Sequence, residues 1–146
     1  MKILRSIAFM FMALCIIGFA APAQTQASAF NVQSYWNGDV NYPLAFSQAG
    51  VNRYLDLSSA KLEEQSTDPQ IQVKSSVLTY DVIMVDGDKT TKFSYKTLVK
   101  TGGEATYIYG WKGTGWSMLT NRSFNQPQYN AALILIDHFN LEQAAA

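Results

Sequence analysis

The sequence predicts an α+β domain: an antiparallel β-meander of about five to six strands with one C-terminal helix packed on one face. Three observations carry that expectation. Period-two alternation recurs from residue 53 to residue 111, in segments closed by Gly-, Ser- or Asp-containing turns. Sequential strands joined by tight turns have to pair antiparallel. After Pro127 the apolar period changes to the i, i+3, i+4, i+7 spacing of a helix.

The chain opens with two cations, Lys2 and Arg5, followed by an apolar run from Ile7 to Ala21. Small residues come next, which is the layout of a secretory signal peptide. The run stops at Pro22, short of the ~20 apolar residues of a spanning helix. Ala21-Pro22-Ala23 and Ala27-Ser28-Ala29 both offer small-x-small cleavage sites. Cutting after Ala29 is preferred, because Pro22 restricts the backbone of the first site. Residues 1–29 are thus expected to be removed, leaving residues 30–146 as one secreted or periplasmic domain without a membrane span. Leu14 before Cys15 does not fit a lipobox, so the single cysteine leaves with the signal. The mature chain then has no thiol to form a disulfide. Loss of Lys2 and Arg5 leaves nine cations against eleven acids, a net charge of about −2. Such a balance argues against nucleic acid or an anionic membrane as partner.

From Phe30 to Gly50, Tyr35, Trp36, Tyr42, Leu44 and Phe46 are spaced irregularly among Asn, Gly and Pro. This predicts an extended lead-in and a short helical turn over Leu44–Ala49. "RYLDLSS" (53–59) predicts a short strand, and "SAKLEEQS" a second one after a Ser-Ser turn. Residues 71–85 form the longest strand signal. Their apolar parity changes between Ser75 and Leu78, which predicts a β-bulge there. "VDGDKTT" supplies a hairpin turn. Phe93, Tyr95, Thr97 and Val99 then alternate with Lys92, Ser94, Lys96 and Lys100, a half-buried strand with a basic outer face. After "TGGE", Tyr107, Tyr109 and Trp111 alternate with Thr106, Ile108 and Gly110, and "KGTG" turns the chain into "WSML".

In the terminal helix Tyr129, Ala132, Leu133, Ile136 and Phe139 or Asn140 fall on one apolar stripe, so Leu133 and Ile136 are expected to be buried. Pro127 suits the first turn, and Asn125 is the expected N-cap.

No catalytic residue, metal site or cofactor is predicted. His138, the single histidine, reads as a helix-side packing residue. No His, Cys or carboxylate pair stands at metal-ligand spacing. Asp86-Gly87-Asp88 lacks the further ligands of a calcium loop and reads as a turn.

The remaining chemistry lies in "YIYGWKGTGW", where Tyr107, Tyr109, Trp111 and Trp116 are the candidate ligand-binding residues. Flat rings with polar edges stack well on sugars, peptides or cations. The competing reading puts the Tyr-x-Tyr-x-Trp row in the core, since a small disulfide-free domain needs large buried rings. The expectation is a division, with Tyr107 and Tyr109 inward and Trp116 accessible.

The segment "YGWKGTGW" resembles one repeat of choline-binding and glucan-binding cell-wall modules, here in a single copy. Tyr54, Asp56, Ser58 and Ser59, ahead of an apolar-alternating strand, a hairpin and an aromatic strand, resemble the small secreted bacterial domains grouped around surface-adhesin protein E. That resemblance spans roughly residues 50 to 120. It implies an extended antiparallel sheet with a packed helix, and a role in binding host extracellular proteins. Asp56 and the two Ser are expected to hydrogen-bond backbone at a strand-to-strand turn. The sequence thus points to a non-enzymatic binding domain that recognises a protein or glycan through an aromatic sheet face. The alternative is an assembly subunit that self-associates through a strand edge.

Overall fold

The computed structural model describes residues 32–102 and 105–141. The expected signal segment, both candidate cleavage sites and Cys15 lie outside the described residues. Six strands follow in chain order and pair in that order as one curled antiparallel sheet: β1 (Leu44–Gln48), β2 (Val51–Asp68), β3 (Val73–Asp86), β4 (Lys89–Gly102), β5 (Ala105–Trp111) and β6 (Trp116–Met118). The one α-helix among the described residues, α1 (Gln126–His138), follows a 3₁₀ turn at Ser123–Asn125.

Three expectations about the strands are corrected. The first concerns Leu44–Ala49, which forms strand β1 and a tight turn instead of a helical turn. Ala49 and Gly50 take φ of 51° and 82°, and positive φ at both central residues matches the twist of a hairpin. In the second, "RYLDLSS" and "SAKLEEQS" are one strand. Its register slips where the step from Asp56 to Lys61 faces the step from Asp81 to Thr79.

Side chains absorb the extra residues. Asp56 Oδ1 accepts from Ser58 N–H at 3.0 Å and from Ser58 Oγ at 2.6 Å, while Ser59 Oγ donates to the Asp56 carbonyl at 2.7 Å. Ser59 Oγ also accepts from Asp81 N–H at 2.8 Å, standing in for a lost ladder partner. What reads as a turn signal therefore builds a bulge.

The third correction moves the bulge out of β3, which pairs with β4 without interruption from Lys74↔Thr101 to Asp86↔Lys89. The parity change at Ser75–Leu78 has a simpler cause. Ser76, Leu78, Tyr80 and Val82 enter the core, while Val77 and Ile83 are buried on the opposite face.

The core joins Leu55, Leu78, Tyr80, Val82, Val99, Ile108 and Leu119 to Ala131, Ala132, Leu135 and Ile136 of α1. Tyr80, Thr97 and Gln128 form a buried polar chain. Gln128 Nε2 donates to Thr97 Oγ1 at 3.1 Å, and the Tyr80 hydroxyl lies 3.0 Å from Thr97 Oγ1 and donates to the Gln128 carbonyl at 3.2 Å. Burial pushes the Tyr80 phenol well above its ordinary pKa. Each partner satisfies the next, so these groups enter the core without orphaned polar atoms. At the other end of the helix's reach, Asn130 Nδ2 donates to the Ala45 carbonyl of β1 at 2.8 Å.

The buried stripe of α1 is Gln128, Ala131, Ala132, Leu135 and Ile136. Ile136 is buried as expected. Leu133 is not: it is 44% exposed. A polar residue, Gln128, holds a core position through its hydrogen bonds and shifts the stripe off the purely apolar set. Asn125 makes no side-chain capping bond, because its helical backbone continues the preceding 3₁₀ turn. The helix ends in a Schellman motif, with Asn140 at φ 51° and bonds from Leu141 N–H to Ile136 O and from Asn140 N–H to Asp137 O. Leu141 caps it from within the core. His138 lies exposed on the last turn, edge-to-face with Phe139. No helix among the described residues is long and apolar enough to cross a membrane.

Candidate functional site

Strand β5 decides which face of the hairpin is free. Ile108 and Gly110 point to the helix and are buried, so Tyr107, Tyr109 and Trp111 must point the other way. Gly110 shows why. A Cβ there would sit 2.8 Å from Gln128 Oε1 and 2.9 Å from Leu119 Cδ2, so a side chain would have to displace the Gln128 amide or Leu119. The expectation that Tyr107 and Tyr109 pack inward is therefore overturned. Tyr107 is 50% exposed and Tyr109 half-buried, both on the face away from α1. Trp116 is accessible as expected, at 38%, and Trp111 joins it at 43%.

The register assembles these rings with their neighbours. Trp111 pairs with Trp116 across β5 and β6, and the two indoles meet edge-to-face with centroids 5.2 Å apart. Tyr109 stands opposite Met118 on one side and Leu98 on the other. Lys100 stands opposite Tyr107, and its Nζ lies 5.8 Å from the Tyr109 ring centroid, within cation–π range. A shallow groove of about 420 Å³ runs beside the two indoles, with Lys96, Leu98, Val77 and Glu64 along its remaining walls. It continues past Lys96 and Trp111 toward Lys61, Thr79, Asp81 and Ser94.

At that far end the charge is already matched. Lys92 Nζ lies 2.7 Å from Asp81 Oδ2, and Ser94 Oγ donates to Asp81 Oδ1 at 2.6 Å. Hydrogen bonds from Lys92 and Ser94 hold the Asp81 carboxyl below its ordinary pKa, and the same contact raises Lys92. Lys96 and Lys100 form no ion pair among the described residues.

All four candidate rings thus fall on one surface. The basic outer face of β4 was visible in the sequence, but its place beside the rings was not, because it depends on the register of β4 against β5. Leu98, Val77 and Glu64 carried no local signal at all. Among the described residues no group of three His, Cys, Asp or Glu is placed to hold a metal ion. The arrangement offers stacking, cation–π contact and ammonium hydrogen bonds. Neither the family models, nor the curated proteins, nor the solved structures contain a match to this chain.

Proposed function

We propose that this chain is a non-enzymatic secreted bacterial domain that binds a protein or glycan outside the cytoplasm through the face formed by Tyr107, Tyr109, Trp111 and Trp116. One observation carries the reading: a strand with three large rings turns all of them away from the core and gives its core positions to Ile108 and Gly110. Contiguous exposed aromatic surface of this kind usually marks an interaction site. The resemblance of Tyr54, Asp56, Ser58 and Ser59 to the surface-adhesin protein E group, and the signal-like amino terminus, favour adhesion or envelope recognition. The direct test is an array of glycans and extracellular proteins probed with the purified protein, followed by titration monitored by tryptophan fluorescence. Binding abolished by Trp111→Ala with Trp116→Ala, in a protein that remains folded, supports the reading. Binding that ignores both substitutions refutes it.

A second reading has its own observation. Strand β1 and the segment before it pair with β2 only up to Leu57, so Ser58–Asp68 has no backbone partner on that edge among the described residues. An unpaired edge can add a strand from another copy. Lys61, Glu63, Glu64 and Asp68 along it work against that pairing. Sedimentation at increasing protein concentration separates the two readings, since only the assembly subunit gains mass.

A further inference from the structure

We infer that the ring face is built for an anionic glycan whose carboxylates are separated by uncharged sugar rings. The inference rests on the proposed reading of this face as a binding surface, and it specifies the ligand's charge.

The first observation is the spacing of cations against rings. Lys100 lies beside Tyr107 and over Tyr109, and Lys96 lines the groove with Trp111 and Trp116. Each ammonium therefore stands next to an aromatic platform, an arrangement that suits a ligand with both a flat apolar face and a negative group. A sugar ring supplies the first through its C–H face, and a uronate carboxylate supplies the second through charge-assisted hydrogen bonds.

The second observation is distance. Lys96 and Lys100 share one face of β4 four residues apart, about 14 Å at the rise of an antiparallel strand. Leu98 fills the position between them and faces Tyr109. A charged contact, an apolar contact and a second charged contact therefore follow in line. A nucleic-acid strand, with a phosphate about every 3.4 Å of helix axis, would place unmatched charge over Leu98.

The third observation is the surrounding charge. Lys92 is already neutralised by Asp81, and Glu64 stands on the groove wall opposite Lys96. A dense polyanion would be repelled there, whereas a sparse one can present its uncharged hydroxyls to the Glu64 carboxylate. Anionic lipid is disfavoured for the same reason, and because the half-exposed rings line a groove rather than a protruding wedge.

The probe is an oligosaccharide of alternating glucuronate and N-acetylglucosamine, titrated against the purified protein by tryptophan fluorescence. Its methyl ester serves as the neutral counterpart. Tighter binding of the acid form is expected, weakening severalfold from about 0.01 M to about 0.15 M salt as the screening length falls from about 30 Å to about 8 Å. Lys96→Gln with Lys100→Gln should lower acid-form affinity about tenfold and leave ester binding unchanged. Lys96 is exposed and Lys100 half-buried on the outer face, so circular dichroism should show an intact fold. Equal binding of acid and ester, lost on Trp111→Ala, overturns this inference and leaves the ring reading standing. Tighter binding of oligothymidylate or of phosphatidylglycerol vesicles also overturns it. Failure of every sugar to bind overturns this inference and leaves protein recognition by the face standing, whereas binding indifferent to Trp111→Ala and Trp116→Ala overturns both.

Discussion

The two faces of the β4–β5 hairpin are made from opposite kinds of residue. Toward the helix stand Thr97, Val99, Ile108 and Gly110, all buried; away from it stand Lys96, Leu98, Lys100, Tyr107, Tyr109 and Trp111. The face with the greater apolar bulk is the exposed one. Burial here is decided by clearance, not by ring size. Ala131 and Ala132 pack in one cluster with Val99 and Ile108, and at Gly110 even a Cβ would stand under 3 Å from the Gln128 amide and Leu119 Cδ2. The surplus aromatic surface is left facing solvent.

The strongest way to break this comparison is to open the helix side. Leu135 is fully buried in the core, so Leu135→Ala should cost about 2–5 kcal/mol. Leu133→Ala, two residues away, should stay within about 1 kcal/mol because that side chain is nearly half exposed. Denaturant unfolding of the pair checks it. Similar losses from both would mean that α1 is rotated about its axis from the position described.

Closing the clearance comes next. Gly110→Ala places a methyl group against the Gln128 amide, which is tied by its bond to Thr97 and a longer one to the Lys96 carbonyl. The amide has to give up a bond or the helix has to move, at a cost of about 1–3 kcal/mol. The double variant Gly110→Ala, Gln128→Ala should recover part of that loss if the clash is with the amide, and a thermal melt of each variant measures it.

Much of this hairpin was legible in the sequence, and the unreadable part has a physical cause. Alternation gave both faces of β5 correctly as sets, with Ile108 opposed to the rings. Which set faces inward depended on Gly110, and a lone glycine in a strand reads equally as a turn element. In α1 the period was right but the stripe was displaced by one position, because Gln128 is polar and Leu133 apolar while their environments are reversed. Only the partners of Gln128, Thr97 and the Lys96 carbonyl, explain that reversal, and they lie about thirty residues away in sequence. In β2, Asp56 and Ser59 were read correctly as backbone partners, whereas the Ser58 hydroxyl bonds the Asp56 carboxylate, and the same bonds serve a bulge as well as a turn.

A smaller effect separates the neutralised end of the outer face from the ring end. The Asp81 carboxyl is held below its ordinary pKa in the folded state by Lys92 and Ser94. A carboxylate with a depressed folded value contributes stability above its unfolded pKa and loses it as pH falls through the folded value. The contact raises Lys92, so that side's contribution persists through neutral pH and fades only in alkali. The gap in melting temperature between the native protein and Asp81→Asn should therefore be open and flat near neutrality and close toward strong acid. A gap that is constant down to strong acid would remove the carboxylate's charge from the account.

The smallest expected effect is on the outer face itself, and it bears most directly on function. Trp116 belongs to a three-residue edge strand, is 38% exposed, and meets Trp111 edge-to-face. An aromatic pair of this kind contributes about 0.5–1.5 kcal/mol beyond its buried area when fully packed, and less at an open edge. Trp116→Ala should thus lower the melting temperature by no more than a few degrees, at about 4–8 °C per kcal/mol for a domain near this size. Ile108→Ala, on the opposite face of the neighbouring strand, should cost about 2–5 kcal/mol. Ligand affinity should show the reverse order: Trp116→Ala loses it, whereas Ile108→Ala retains it wherever the protein remains folded. A large stability loss from Trp116→Ala would mean that the indole pair closes the β5–β6 edge as scaffold. The rings would then be exposed for reasons of packing alone, and the groove beside them would have no claim to a ligand.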